Sequence, residues 1–179
     1  MDANNLERNL FLVSQILDLH QPMIIAVNMT DIATRNGIEI ELESLQKLLG
    51  VPVVGIQAKR RVGIDALKSA MANAISKSPD IEHDPFSDEL KQRIKRLKAA
   101  CPDDCQLKRF AVTRMLFDTD GFMTDQLKSQ VDGKVLATLK TEQAHMQSEG
   151  HSIAESESHA RYNWITKHLD SFVKHPTPI

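Results

Sequence analysis

Residues 23–31 read Met-Ile-Ile-Ala-Val-Asn-Met-Thr-Asp, a short apolar run followed directly by polar residues. The run from Met23 to Val27 does not alternate between apolar and polar residues, which is typical of a strand buried on both faces of a parallel sheet. A second run of this kind extends from Val51 to Ile56. Two such strands predict an α/β arrangement for the first part of the chain.

Amphipathic stretches surround these two strands. The first covers residues 4–19, where Asn4 and Glu7 are spaced as a capping box. The second carries leucines from Leu42 to Leu49 and stops at Gly50, and the third begins at Ile64. The order helix, strand, helix, strand, helix predicts parallel strands joined by helical crossovers.

Two strands are too few to form an open parallel sheet that is covered on both faces, because such sheets carry about five or six. We therefore expect the chain to hold the last part of an α/β domain, with Asp2-Ala3 as the stub of a further strand. On this interpretation the strand Met23 to Val27 has an open flank, and the open sheet predicts a homo-oligomer.

The second half of the chain differs in composition. Residues 78–85 are polar and contain two prolines, which is typical of a linker. Beyond them we predict helices and no strand. We therefore divide the chain into an α/β portion over residues 1–77, the linker over 78–85 and a small helical bundle over 86–175. The bundle core is expected to include Ile94, Phe110, Leu136, Trp164 and Ile165.

Composition excludes several classes of protein. The 22 Lys and Arg residues nearly balance 24 Asp and Glu residues, so the formal net charge is −2 and no basic surface for nucleic acid is expected. The longest apolar run has five residues, far fewer than the roughly 20 that a membrane helix requires. Two cysteines cannot supply a disulfide framework, which favours a reducing cytoplasmic setting.

Candidate binding residues follow both predicted strands. Ligands of open α/β sheets bind at the carboxyl ends of strands, where Asn28 and Asp31 lie in this chain. A carboxylate can accept two parallel hydrogen bonds from the ring N–H and the exocyclic amino group of guanine, and Asn28 can brace a neighbouring loop. The second strand leads to Ala58, whose backbone N–H could meet the ring carbonyl, and to Lys59, whose stem could cover the ring face.

These residues resemble a known family. The stretches 2–10, 26–31, 50–54 and 63–68 are similar to the back half of the G domain of the ferrous iron transport protein B (FeoB) family, and Met29 stands where that family usually has Met. The later helical region, ending in residues 160–165, resembles the family's cytosolic helical domain. Gln57 departs from the family's usual Ser before Ala58.

The resemblance implies a P-loop-GTPase-like α/β unit followed by a helical regulatory domain, of which this chain holds an incomplete part. It implies a guanine site formed by Asn28, Met29, Asp31, Ala58 and Lys59, and a membrane permease domain as partner. It also implies that the parent protein lies on the cytoplasmic side of the bacterial inner membrane, while this chain is soluble.

The sequence contains no G-x-x-x-x-G-K-[ST] motif, so it has no amide cradle for phosphates and no hydroxyl ligand for magnesium. We therefore expect weak or absent binding of GTP and GDP, Mg²⁺ only in the full-length parent, and no GTP hydrolysis by this chain alone. The alternative is a helical interaction module from a truncated gene product, which is not an enzyme and binds no nucleotide.

Three further patterns are interpreted as structural. Asp118-Thr119-Asp120-Gly121 spells D-x-x-G but follows a helical stretch, which predicts a turn. Cys101 and Cys105 lack a second pair of ligands at zinc-finger spacing. His151, His159 and His168 do not have the four-residue spacing of a helical metal pair, so no metal site is predicted.

Overall fold

The computed structural model describes residues 1–75, 84–101, 109–150 and 152–174. The chain divides into two compact units. Unit 1 comprises Met1–Asp84 together with Tyr162–Ile179, and unit 2 comprises Pro85–Arg161. The linker predicted over residues 78–85 lies largely outside the described residues.

Unit 1 alternates helices and strands along its first segment, as the sequence predicts. The elements are α1 (Leu6–Leu17), β1 (Ile25–Val27), α2 (Thr30–Arg35), β2 (Glu39–Ile40), α3 (Leu42–Leu49), β3 (Val53–Gly55), a 3-10 turn (Ala58–Arg60) and α4 (Ile64–Ala74).

Strands β1 and β3 pair in parallel, with Ile25 opposite Val53 and Val27 opposite Gly55. One face of this sheet is fully covered, because Ile25, Val27 and Val53 are buried against α1 and α3 residues. The opposite face is only half covered, since Ala26 and Val54 remain partly exposed. The prediction of an α/β unit with a small parallel sheet is confirmed.

The N-terminal residues form the predicted strand stub. Asp2 forms a parallel bridge with Asn28, and the Ala3 N–H donates to the Asn28 carbonyl at 2.9 Å. The stub covers the edge of β1 only near its carboxyl end, where the Met1 ammonium donates to the Ala26 carbonyl at 2.7 Å and the Asn28 N–H donates to the Met1 carbonyl at 2.8 Å. This flank of the strand is therefore less open than expected. The outward Asp2 carbonyl accepts a hydrogen bond from the Asn5 N–H at 3.2 Å, which removes an acceptor from further strand pairing.

The helix ends follow the sequence signals only in part. Gly50 follows α3 in the left-handed conformation, with φ +66°, as expected of a glycine at this position. The predicted capping box at α1 does not form, because the helix begins after Asn5, whose side chain makes no capping bond. Asp2 instead accepts the Asn4 N–H at 2.9 Å, and this backbone bond lowers the pKa of the Asp2 carboxyl.

The C-terminal segment of unit 1 adds a strand that the sequence did not predict. Strand β4 (Val173–Lys174) pairs antiparallel with β2, and Lys174 Nζ lies 3.0 Å from Glu41 Oε1. The Lys174 ammonium lowers the pKa of the Glu41 carboxyl. Two residues are too few to show the alternation of apolar and polar side chains that predicts a strand. Strand β4 is therefore recognised only from its pairing with β2.

Unit 2 is helical over its described residues. Its elements are α5 (Asp88–Ala100), α6 (Arg109–Leu116), α7 (Phe122–Leu127), a 3-10 turn (Lys128–Gln130), α8 (Gly133–Ser148) and the first part of α9 (Ile153–Leu169). Ile94, Leu97, Leu116 and Leu139 are buried in a shared core. The helical pattern over residues 123–139 is broken near Gly133, because α7 ends at Leu127 and α8 begins only at Gly133.

The unit boundary falls inside α9, between Arg161 and Tyr162. Ile165 is 1% exposed and belongs to the core of unit 1, where Trp164 also packs. The prediction that these two residues lie in the core of the helical bundle is wrong. Apolar periodicity identifies a buried helix face but does not identify the core that covers it.

Candidate functional site

The carboxyl ends of β1 and β3 meet at one edge of the sheet in unit 1. After β1 the chain passes Asn28 and Met29 before entering α2 at Thr30. Met29 adopts the left-handed conformation with φ +63°, which turns the chain sharply. The Thr30 hydroxyl donates to the Ile56 carbonyl at 3.3 Å, so it ties this turn to the segment after β3.

Asn28 links the two strand-end loops directly. Its Oδ1 atom accepts a hydrogen bond from the Ala58 N–H at 3.1 Å. The sequence predicted that Asn28 would brace a neighbouring loop, and the structure contains this brace. The sequence predicted that the Ala58 N–H would donate to the ring carbonyl of a bound guanine. In this structure the same N–H donates to Asn28.

Asp31 lies in the first turn of α2 with 21% of its side chain exposed. Its Oδ2 atom is 3.2 Å from Arg35 Nη2 and 3.9 Å from Arg60 Nε. Arg35 is four residues later on the same helix, and Arg60 comes from the loop after β3. Two cations therefore approach the carboxylate from different elements.

Neither arginine was among the site residues predicted from the sequence. The spacing of four residues between Asp31 and Arg35 was a readable signal for a helical ion pair. Arg60 gave no such signal, because its approach to Asp31 depends on the pairing of β1 with β3.

The loop after β3 is closed on itself. Gln57 and Val62 form an antiparallel bridge, with the Gln57 N–H donating to the Val62 carbonyl at 3.0 Å. Gly63 follows with φ +77°, and a side chain there would place Cβ 2.4 Å from the Gly55 carbonyl. Only glycine satisfies both conditions without strain. Gln57 therefore lies at the start of a tight hairpin-like loop.

A cavity of about 580 Å³ lies between the two loops. This volume falls within the usual range for small-molecule sites, about 300–1,000 Å³. The side chains around it combine one carboxylate, three cations, two amides and three apolar groups. Its lining residues are Asn28, Met29, Asp31, Ile32, Arg35, Gln57, Ala58, Lys59 and Arg60.

The cavity therefore brings together all five residues of the predicted site. Asp31 supplies acceptor oxygens at the wall, and Met29 supplies an apolar surface that is 41% exposed. Lys59 is exposed at the same cavity. This arrangement can accept paired hydrogen bonds from a planar polar ring while covering its faces with aliphatic stems.

The other sequence patterns lie elsewhere. Asp118 accepts a hydrogen bond from the Thr124 N–H at 2.9 Å, and Gly121 precedes α7 in the left-handed conformation, as a turn requires. His168 Nδ1 is 2.7 Å from the Trp164 carbonyl. Cys105 and His151 lie outside the described residues. Within the described ranges, no three His, Cys, Asp or Glu residues form a group that could hold a metal ion.

Comparison with known proteins points to one family. Residues 1–71 match the family model described as ferrous iron transport protein B. The Fe(2+) transporter FeoB of Escherichia coli K12 is 38% identical over 109 residues, which are 61% of this chain and 14% of that protein. The resemblance to FeoB is confirmed.

A further relative extends the comparison. FeoB of Legionella pneumophila strain Paris is 44% identical over 77 residues, 43% of this chain and 10% of that protein. The chain thus spans about one seventh or less of the curated FeoB proteins that it matches.

Solved FeoB structures share the fold over nearly the whole chain. The cytosolic domain of L. pneumophila FeoB has a TM-score of 0.74 and 27% identity, and the match covers 97% of this chain and 66% of that one. NFeoB from S. thermophilus, bound to GDP, aluminium fluoride and a potassium ion, has a TM-score of 0.78 and 25% identity, with 93% and 65% covered. The predicted combination of a partial GTPase-like α/β unit and a helical part is therefore confirmed.

Among the described residues, none of the helices has both the length and the apolar character needed to cross a bilayer.

Proposed function

We propose that this chain is the guanine-reading and regulatory portion of a FeoB-type ferrous iron transporter. In this proposal residues 1–77 recognise the base, and the helical unit Pro85–Arg161 relays the nucleotide state to a membrane permease. The observation that carries the proposal is the convergence of Asn28, Asp31 and Ala58 on one cavity between two parallel strand ends.

The chemistry of the cavity favours guanine over adenine. Guanine presents a ring N–H beside an exocyclic amino group, and a carboxylate such as Asp31 can accept from both. The Ala58 N–H would exchange its bond to Asn28 for one to the ring carbonyl. Met29 and the Lys59 stem would flank the two faces of the ring.

The sequence itself supplies little for the phosphates. Without a G-x-x-x-x-G-K-[ST] motif, GTP or GDP would be held here chiefly by its base, and Mg²⁺ would be bound only by the full-length parent. Iron transport, the permease partner and a position on the cytoplasmic side of the bacterial inner membrane belong to the same proposal. The E. coli relative is an Fe(2+) transporter, which supports iron transport, and the L. pneumophila structure is a cytosolic domain of FeoB, which supports the cytoplasmic position.

Base preference tests the proposal. Addition of GDP to the isotope-labelled chain should give saturable amide shifts at Asn28 and Ala58, and ADP should not. Asp31→Asn should weaken GDP binding and relatively favour XDP, because xanthine carries an acceptor where guanine carries its amino group. Asp65→Asn, at a fully exposed carboxylate on α4, is the matched control.

Two results would contradict the proposal. If GDP and ADP give the same shifts, or if Asp31→Asn leaves the preference for GDP over XDP unchanged, Asp31 does not read the base. If neither nucleotide gives saturable shifts, the alternative interaction module that binds no nucleotide is favoured instead.

We also propose self-association, through the half-covered face of the sheet rather than through its edge. Helix α4 contacts β3, and on it Met71 is 53% exposed, while Ile75, directly after the helix, is 80% exposed. A second copy could cover these apolar groups. Light scattering over a dilution series should show a dimer that Met71→Glu dissociates and the control Ala72→Glu does not. A strictly monomeric wild type would contradict this part.

A further inference from the structure

Arg35 contacts Asp31 at two points. Its Nε donates to the Asp31 main-chain carbonyl at 3.2 Å, and its Nη2 donates to Asp31 Oδ2, also at 3.2 Å. The first bond fixes the planar guanidinium against the backbone of α2. The second bond then fixes the rotation of the carboxylate that the same guanidinium faces.

The bond from Arg35 does not block the carboxylate. An ionised carboxylate offers about four acceptor positions on its two oxygens. Arg35 occupies one position on Oδ2, and Arg60 lies further away, at 3.9 Å. Oδ1 and a second position on Oδ2 therefore remain for two donors from the cavity.

We propose that Arg35 is a specificity-positioning residue, which holds the Asp31 carboxylate in the orientation that reads two adjacent donors of the base. This inference rests on the proposed guanine site. Free rotation of the carboxylate would still allow one hydrogen bond to the base, but both bonds together require a fixed plane. Arg35 therefore determines how strongly the site distinguishes guanine from hypoxanthine, which lacks the amino group.

If the Arg35–Asp31 ion pair only stabilised α2, a different result would be expected. Pairs at this spacing stabilise an isolated helix by only about 0.2–0.5 kcal/mol. Their loss would lower helix stability slightly and weaken every ligand of the cavity by the same factor. The ratio of the affinities for two nucleotides therefore distinguishes a positioning role of Arg35 from a purely structural one. A loss of affinity that is equal for both nucleotides leaves this ratio unchanged.

The probes are GMP and IMP, which share ribose and phosphate and differ only in the exocyclic amino group. Both are titrated into the labelled full chain, and the two dissociation constants are obtained from amide shifts. We expect wild type to favour GMP by about tenfold, since a hydrogen bond to a charged acceptor is at stake. Arg35→Ala should reduce this preference to about threefold or less, with a melting temperature that falls only slightly.

Two further variants sharpen the test. Arg35→Lys should restore the preference only in part, because an ammonium group cannot make both bonds in the geometry of the guanidinium fork. Lys47→Ala removes a positive charge from α3, whose residues do not line the cavity, and should leave the preference unchanged.

The outcomes distinguish this inference from the proposed function. A wild type that binds neither nucleotide, or binds both equally, overturns the guanine site and the role of Arg35 together. A wild type that favours GMP, with the same preference in Arg35→Ala, overturns the role of Arg35 alone. Equal weakening of GMP and IMP in Arg35→Ala also overturns it, because that is the result expected of a structural ion pair.

Discussion

Removal of the Glu142 carboxylate should destabilise unit 2, because it breaks a buried ion pair between two helices. Glu142 on α8 is 5% exposed and faces Arg93 on α5, which is 4% exposed. Its Oε2 atom lies 3.2 Å from Arg93 Nη1 and 2.9 Å from Arg96 Nη2. The carboxylate thus joins two cations between two helices.

The expected loss of stability depends on which partners Arg93 keeps after Glu142 is replaced. In Glu142→Ala, Arg93 keeps its bonds to Glu89 and Glu149, so the buried cation is not left alone. We expect a loss of about 3 kcal/mol, the low end for breaking a buried pair. Glu149→Ala is the matched control, because it removes a partner of Arg93 that is 44% exposed and should cost less than about 1 kcal/mol.

Hydrogen exchange measured by mass spectrometry on the full chain provides the assay, since peptides from α5 and α8 report on unit 2 alone. A loss of about 3 kcal/mol corresponds to roughly 100-fold faster exchange of the most protected amides. The reasoning is refuted if Glu142→Ala accelerates this exchange less than about fivefold, or no more than Glu149→Ala does.

The same carboxylate gives a pH dependence. The hydrogen bond from Arg96 lowers the pKa of Glu142 below its ordinary value of 4.5, and burial opposes this effect in part. The stabilisation is therefore fully present above about pH 4.5 and is lost as the pH falls through the lower folded-state pKa. Exchange in α5 and α8 should accelerate on acidification in wild type and less in Glu142→Gln. Equal acceleration in both would contradict this assignment.

Three further predictions concern unit 1. Gly63→Ala should lower the melting temperature, because a Cβ there would lie 2.4 Å from the Gly55 carbonyl at φ +77°; an unchanged melting curve would contradict this. Asn28→Ala should speed amide exchange at Ala58, which loses its acceptor at 3.1 Å, and unchanged exchange would refute the brace. The purified chain should release no phosphate from GTP above background, and saturable, magnesium-dependent release abolished by Asp31→Asn would overturn this expectation.

The elements that the sequence predicted well are those with local signals. The apolar runs at residues 23–27 and 51–56 contain β1 and β3, and Gly50 ends α3 as its position indicates. The three amphipathic stretches of the first part also became helices. In each case a period, an apolar run or a turn residue within a few positions carried the information.

The features that sequence reasoning missed depend on distant contacts. Strand β4 has two residues and exists through its pairing with β2, far earlier in the chain. Trp164 and Ile165 were assigned to the wrong core for the same reason, since their helix face gives no indication of its partner. At the cavity, the five predicted residues converge because their strands are adjacent, but the approach of Arg60 to Asp31 could only be seen in three dimensions.

The division of unit 1 into two sequence segments has a consequence for synthesis on the ribosome. Ile165, Phe172 and Val173 belong to the same core as Leu6 and Leu10, yet about 90 residues are translated between Asp84 and the end of β4. At elongation rates of about 5–20 residues per second, this interval lasts roughly 5–18 s. During that time the apolar core residues of the first segment lack the C-terminal residues that complete their core. The helices of unit 2 can already form their local contacts. Nascent chains stalled before residue 162 should therefore expose an unfinished core that chaperones recognise.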